Sequence, residues 1–336
     1  MNLSLKTRMA ILITIVVVML GFAVSSGNAP AGEVLLKLLT SSFTNPVLAT
    51  DTLKRFTPLA IAGVAVFWAL RAGLFNIGVE GQLSIGALAA VAVGSKVPGP
   101  VGVVLAIASG TIAGALWALP AGWVKAYRGG HEVISTIMLN QIALLLVSFL
   151  VSGPLKDPNA GYPTSSTLAE SSRVPNTGTM MPVTVSLSVI IALVLVVLFS
   201  RWLSRTVGGY ELSLVGENPT AGKFAGIDSR KVILKAMISS GALAGLAGAL
   251  QLLSYEFRMY EQFSSGYGFD ALGVAILAGA NPLMILGSAA AFAILGQGAS
   301  MVQILGIPSG ISNVLFALLI VIVAALRARN SRSADA

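Results

Sequence analysis

Charge is what this sequence has least of. Of its 336 residues only 10% are Asp, Glu, Lys or Arg, while 55% are hydrophobic. A soluble domain carries about 25% charged residues, so this chain cannot cover a water-facing surface, and its solvent is lipid. Cysteine is absent, which excludes a disulfide framework, a thiolate metal site and a cysteine nucleophile. Histidine occurs once, at His131, with Glu132 as its only close acidic neighbour; a helix-start or loop role fits it better than a metal site or a general base. No nucleophile constellation is present, and no nucleotide-binding loop either. The nearest string, Gly216-Glu-Asn-Pro-Thr-Ala-Gly222-Lys223, has five residues between its glycines rather than four, and Phe224 stands where a Ser or Thr would hold magnesium.

What is present is a series of long uncharged runs: 9–32, 56–70, 81–95, 97–124, 133–155, 174–200, 236–255 and 271–326. A helix needs about 20 apolar residues to cross the hydrocarbon core, and backbone polar groups must be satisfied inside the bilayer. The segments lack the alternation of a transmembrane barrel. The expected fold is therefore an all-α polytopic membrane protein of about ten transmembrane helices, near 9–26, 57–71, 82–95, 98–122, 133–153, 183–202, 232–253, 269–279, 283–304 and 308–326. The start of the chain also reads as a signal peptide, with Lys6, Arg8 and Ala29-Pro30-Ala31. The length of the apolar run and the position of Pro30 favour an uncleaved first span.

With the N-terminus in the cytoplasm and the spans alternating, fourteen of the 21 basic residues fall on the inner side, among them Arg71, Lys125, Arg128, Arg201, Arg205, Lys223, Arg230, Lys231, Lys235 and Arg327. That bias follows the positive-inside rule and accounts for the net charge of +8 without nucleic acid. It also puts the C-terminus inside. The chain then reads as one transmembrane domain over 1–330, with an external loop at 153–182, a cytoplasmic connection at 203–235 and a cytoplasmic tail at 331–336. The external loop is rich in Pro, Ser, Thr and Asn and serves equally as a connector or as a contact surface for an external partner. Residues 33–39 form an amphipathic stretch suited to the interface.

Two stretches interrupt their spans with Gly, Pro and polar residues: RAGLFNIGVEGQLSIG (71–86) and GYGFDALGVAILAGANP (266–282). Each pairs an aromatic with an Asn or Asp (Phe75-Asn76, Phe269-Asp270). The topology puts the first near the inner face and the second near the outer, as an inverted repeat with paired broken, re-entrant helices requires. GxxxG patterns at Gly110/Gly114 and Gly241/Gly245 favour close helix packing. Ionisable residues inside a membrane default to function; Arg71, Glu80 and Glu132 are the candidates, each near a span's inner end and more readily read as a snorkelling or capping group. Glu80 stands out beside Asn76 and Gln82. Neutral polar residues near mid-bilayer are Ser135, Asn140, Gln141, Gln297, Ser300 and Gln303, the last three on one helix face. A row of this kind suits an uncharged polar solute or an interhelical hydrogen-bond seam. The candidate path residues are thus Phe75, Asn76, Glu80, Gln82, Asn140, Phe269, Asp270, Gln297, Ser300 and Gln303.

In the cytoplasmic connection, Asn218 and Pro219 are placed to start a short helix that runs through Thr220, Gly222, Lys223 and Ala225 to Gly226. Such a helix, exposed and parallel to the membrane, is a handle for a motor protein or an ordinary surface helix. The string VGENPTAGKFAGI (215–227) resembles the coupling segment of ABC importer permeases in the branched-chain amino acid, ribose and nucleoside permease superfamily. FNIGVEGQLSIGA (75–87), GGHEVISTIMLN (129–140) and GYGFDALGVAILAGANP resemble its nucleoside and simple-sugar branch, and the 129–140 stretch looks like the longer of two paired permeases. The family more often has Ala or Asn before Glu132, so His131 is a departure.

The resemblance implies a non-catalytic transport subunit of a bacterial plasma (inner) membrane, without a cofactor of its own and with ATP and magnesium on a separate ATPase subunit. That subunit would dock on Gly216, Glu217, Asn218, Pro219, Thr220, Gly222, Lys223, Ala225, Gly226 and Ile227. It further implies a second homologous permease and an external substrate-binding lipoprotein that delivers nucleosides, with alternating access as the mechanism. A simple sugar such as ribose or galactose is the alternative cargo. An ion-coupled secondary transporter relying on Glu80 is the rival from outside the family.

Overall fold

A computed structural model describes residues 30–177, 182–304, 306, 314 and 317. The expected spans at 9–26 and 308–326 and the tail at 331–336 lie outside that set, apart from the two isolated positions. Among the described residues no strand forms, and the only extended pairings are isolated bridges such as Thr164 with Tyr260.

Helices follow one another as α1 (Ala31–Thr40), α2 (Pro46–Arg71), α3 (Val79–Gly94), α4 (Gly99–Arg128), α5 (Glu132–Ser152), α6 (Leu187–Arg205), α7 (Val207–Glu217), α8 (Pro219–Phe224), α9 (Ser229–Gln251), α10 (Tyr267–Ala278) and α11 (Met284–Gln303). Six of them are long and apolar enough to cross a membrane: α2, α4, α5, α6, α9 with its π-turn to Glu256, and α11. The count of about ten spans is not reached among the described residues. Two expected spans, 82–95 and 269–279, correspond to α3 and α10. At 16 and 12 residues these rise about 24 and 18 Å, short of the ~30 Å hydrocarbon core. The Gly-rich interruptions before them shorten both.

The chain divides into two compact units. The smaller holds the described residues 30–55, 182–184 and 290–304. In it α1 buries Val34 and Leu38 and exposes Leu36, with a Glu33–Lys37 pair at 3.4 Å on its polar side. Gly298 lies against the Leu38 backbone, where a Cβ would collide. Arg55 donates to Gln297 Oε1 at 3.3 Å and to Ser300 Oγ at 2.8 Å.

The larger unit covers 56–177 and 185–289. Its core is the α3, α4 and α9 triplet. On α4 the buried positions are Gly102, Ala106, Gly110, Gly114, Ala118, Ala121, Gly122 and Ala126, mostly four apart and so on one face. They meet Met237, Gly241, Gly245 and Ala249 of α9, while Gly248 packs against Leu83 and Ala87 of α3. A Cβ on Gly114 would come within 2.7 Å of Gly245 Cα, and one on Gly245 within 2.9 Å of Gly114 Cα. The two GxxxG patterns therefore face each other, and backbone packs on backbone where lipid offers no hydrophobic gain from larger side chains. Outward faces of α4, α5 and α6 carry Val104, Leu116, Leu145, Phe149, Ile190 and Leu198. Trp68 of α2 stacks on Phe199 and Trp202 of α6, with ring centroids 5.0 and 4.4 Å apart.

Residues 154–177, in the connection between α5 and α6, lie against the end of α9. The π-turn there leaves carbonyls free of helical bonding: Val174 N donates to Leu253 O at 2.9 Å and Leu168 N to Phe257 O at 2.8 Å. Arg173 sits 4.3 Å over the Phe257 ring.

Candidate functional site

The two interrupted stretches come together. Glu80, in the first turn of α3, accepts a hydrogen bond from Gly268 N at 2.6 Å, in the first turn of α10. This contact sets the starts of the two short helices side by side. A short helix start needs donors satisfied wherever no water reaches, and the carboxylate of one break supplies the other.

The remaining polar residues of the breaks are used the same way. Asn76 Oδ1 accepts from Gly78 N at 3.0 Å, and its amide donates to Gln82 Oε1 at 3.0 Å and Ser240 Oγ at 2.9 Å. Ser240 Oγ in turn donates to Ala65 O at 2.6 Å. Asn140, from the middle of α5, accepts from Gly81 N at 2.9 Å and donates to Ile77 O at 2.8 Å. Asn76, Glu80, Gln82 and Asn140 are all buried and tied to the chain's own backbone or to one another. Phe269 is 50% exposed; Phe75 and Asp270 are half-buried. Gln297 and Ser300 form the seam with Arg55, whereas Gln303 is exposed. His131 is the N-cap residue of α5 with no side-chain cap bond, and Glu132 pairs with Lys125 at 2.8 Å.

A second feature stands on the connection between α6 and α9. Helix α8 is one and a half turns long and closed at both ends. Asn218 Oδ1 accepts from Thr220 N and Ala221 N at 3.0 and 3.1 Å. Gly226, at φ 79°, takes the left-handed position that ends helices, while Ile227 N returns to Gly222 O at 2.9 Å. Asp228 then caps α9 through Arg230 N and Lys231 N at 3.1 and 3.3 Å. These amide donors, Lys231 first, hold its carboxyl below the ordinary range. Gly222 is buried against Val215, but Lys223, Phe224 and Ala225 are exposed, Phe224 at 89%. Beside it opens a cleft of about 680 Å³ lined by Pro219, Thr220, Lys223, Ile227, Asp228, Ser229 and Arg230.

This elbow is seated on the first break. A Cβ on Gly216 would fall 2.8 Å from Gly73 N, and one on Gly73 2.9 Å from Gly216 O. The end of α7 and the α2–α3 turn therefore touch backbone to backbone, three residues before Asn76. Phe224 was not singled out in the sequence; an aromatic between Lys223 and Ala225 in an otherwise small and polar segment was the available signal for its exposure. Glu261 was missed too. Its carboxylate accepts from Ser148 and Ser152 at 2.9 and 2.8 Å, and these bonds, Ser152 first, lower its pKa.

Comparison with known proteins agrees with this architecture. Residues 48–324 match the family described as branched-chain amino acid transport system / permease component. A guanosine ABC transporter permease protein of Bacillus subtilis is 34% identical over 90% of this chain and 86% of its own length. A glucose ABC transporter permease protein of Haloferax volcanii is 32% identical, covering 86% of this chain and 78% of that one. A nucleoside ABC transporter permease protein of Lactococcus lactis is 30% identical, over 82% and 78%. No solved structure matches the chain. With six helices able to cross a bilayer, a central triplet packed through glycine and a family match over most of its length, this multi-pass membrane transport protein belongs to the ABC transporter permease family named for branched-chain amino acid transport systems.

Proposed function

We propose that the chain is one of two related permeases in an ATP-driven importer of nucleosides, working by alternating access. The observation that carries this reading is α8: a short, doubly capped helix that exposes Phe224 beside an open cleft and rests, through Gly216, on the backbone of the break leading to Asn76. A separate ATPase subunit, carrying ATP and magnesium, takes hold of residues 216–227. Closure of the ATPase pair pushes Gly216 against Gly73, and the push reaches Asn76, Ile77 and the Asn140 clamp of α5. The finer topology belongs to the same reading: both termini cytoplasmic in a bacterial plasma membrane, about ten passages once 9–26 and 308–326 are counted, and the two breaks as related elements of an inverted repeat. Residues 1–330 then form one permease domain, with the external loop facing a substrate-binding lipoprotein.

Nucleosides are favoured by relatives named for guanosine and for nucleosides. A neutral sugar is the second reading, favoured by the relative named for glucose. The test is uptake of radiolabelled guanosine by the complex in proteoliposomes, competed with nucleosides and with glucose, alongside co-purification with the ATPase subunit. Competition by glucose alone moves the assignment to sugars. Uphill accumulation by the isolated chain, abolished by Glu80→Gln, would establish ion coupling instead.

A further inference from the structure

Within the six long helices, among the described residues, Gln141 is the only exposed polar side chain more than two turns from a helix end. It sits near the midpoint of α5, and among the described residues no hydrogen bond occupies its amide. An amide facing lipid tails at that depth has no partner and is expensive to keep there. Along α5, Ser148 and Ser152 follow Gln141 at seven and eleven residues; at 100° per residue all three share one stripe. Ser148 and Ser152 are the pair that holds Glu261. Toward the inner end the same face turns apolar, with Ile134 and Met138 exposed at 63% and 58%. The stripe thus carries Gln141, Ser148 and Ser152 among apolar side chains, with Leu145, 72% exposed, between the first two. Directly behind Gln141, Asn140 clamps the break at Ile77 and Gly81.

We propose that this stripe, Gln141 with Ser148, Ser152 and Glu261, is the outer half of the wall of the solute path, and that Gln141 is the group to which a neutral, hydroxyl-bearing solute hydrogen-bonds at mid-bilayer. The proposal rests on the permease reading above and adds to it the face and the residue that meet the cargo. Ile134 and Met138 then form the inner seal. The Asn140 clamp ties the neighbouring residue to the break that α8 pushes.

The natural absence of cysteine makes the test direct. Gln141→Cys introduces a single thiol, and Leu198→Cys on α6, 59% exposed on an apolar face, is the lipid-facing comparison. Each variant is reconstituted with its partner subunits and treated with a membrane-impermeant methanethiosulfonate and with a lipid-soluble maleimide; modification is read as a mass shift of this chain. The impermeant reagent is expected to modify Gln141→Cys and not Leu198→Cys. Guanosine or glucose, whichever the parent complex transports, at ten times the half-saturating concentration measured on the Gln141→Cys complex itself should slow that modification about tenfold, because only the unoccupied fraction reacts. Modification by the lipid-soluble reagent alone puts Gln141 against lipid. Modification by neither puts it against the second permease. Impermeant labelling that the solute leaves unslowed means that water, but not cargo, reaches it. Any of these three overturns the proposal. Uptake by the unmodified complex is measured in the same vesicles: its absence overturns the importer reading, whereas uptake with one of those labelling patterns overturns only the assignment of Gln141.

Discussion

Phe224→Ala separates docking from folding. The side chain is 89% exposed, so the isolated chain gains little from it. An aromatic side chain buries about 150–250 Å² at an interface. At roughly 25 cal/mol per Å², covering the free ring is worth about 4–6 kcal/mol, and the methyl that Ala retains together with the cost of ordering an interface reduces the expected loss to about 2–3 kcal/mol. The expected outcome is a permease with an unchanged melting temperature and an ATPase subunit bound roughly 30–150-fold more weakly. The assay is titration of labelled ATPase subunit onto detergent-solubilised permease, paired with thermal unfolding of the permease alone. Unaltered affinity would refute the assignment of α8 as the docking helix. A fall in melting temperature equal to the loss in binding would show that the ring supports the fold instead.

Three further outcomes are expected. Gly245→Ala sets a methyl against the α4 backbone, 2.9 Å from Gly114 Cα, and should destabilise by about 1–3 kcal/mol; Gly287→Ala, with nothing within 4 Å, should be neutral, and thermal unfolding in detergent compares the two. Asn140→Leu leaves Gly81 N and Ile77 O without partners in a buried site, at a cost of about 1–3 kcal/mol for each, read as a lowered melting temperature; an unchanged one would mean the α3 start is held by other contacts. Asp228 has its folded-state pKa depressed by the amides it caps. Its contribution to the start of α9 is therefore complete above the ordinary Asp value of about 4 and is lost as the pH falls through the lowered folded value. Backbone amide exchange at 229–232, corrected for intrinsic rate, should accelerate below pH 4 in the native chain and be insensitive to pH in Asp228→Ala.

Hydropathy and composition by themselves determined that the chain is helical and lives in lipid, because backbone groups in a bilayer have almost no other solution. Local chemistry did as much for α8: Asn218, Pro219 and Gly226 mark its start and end through bonds only a few residues long. The glycine pairs announced close packing, though not that Gly110 and Gly114 would meet Gly241 and Gly245. Only the tertiary structure showed which partners the polar residues have. Asn76, Glu80, Gln82 and Asn140 look alike in sequence to groups lining a path, and each meets a backbone or side-chain partner, in Glu80's case 188 positions away, through which it braces two short helices. Gln141, adjacent to Asn140, is left open because a turn of 100° carries it off the packed face. Which of two neighbouring amides is buried depends on where other helices lie, and that information is spread along the whole chain.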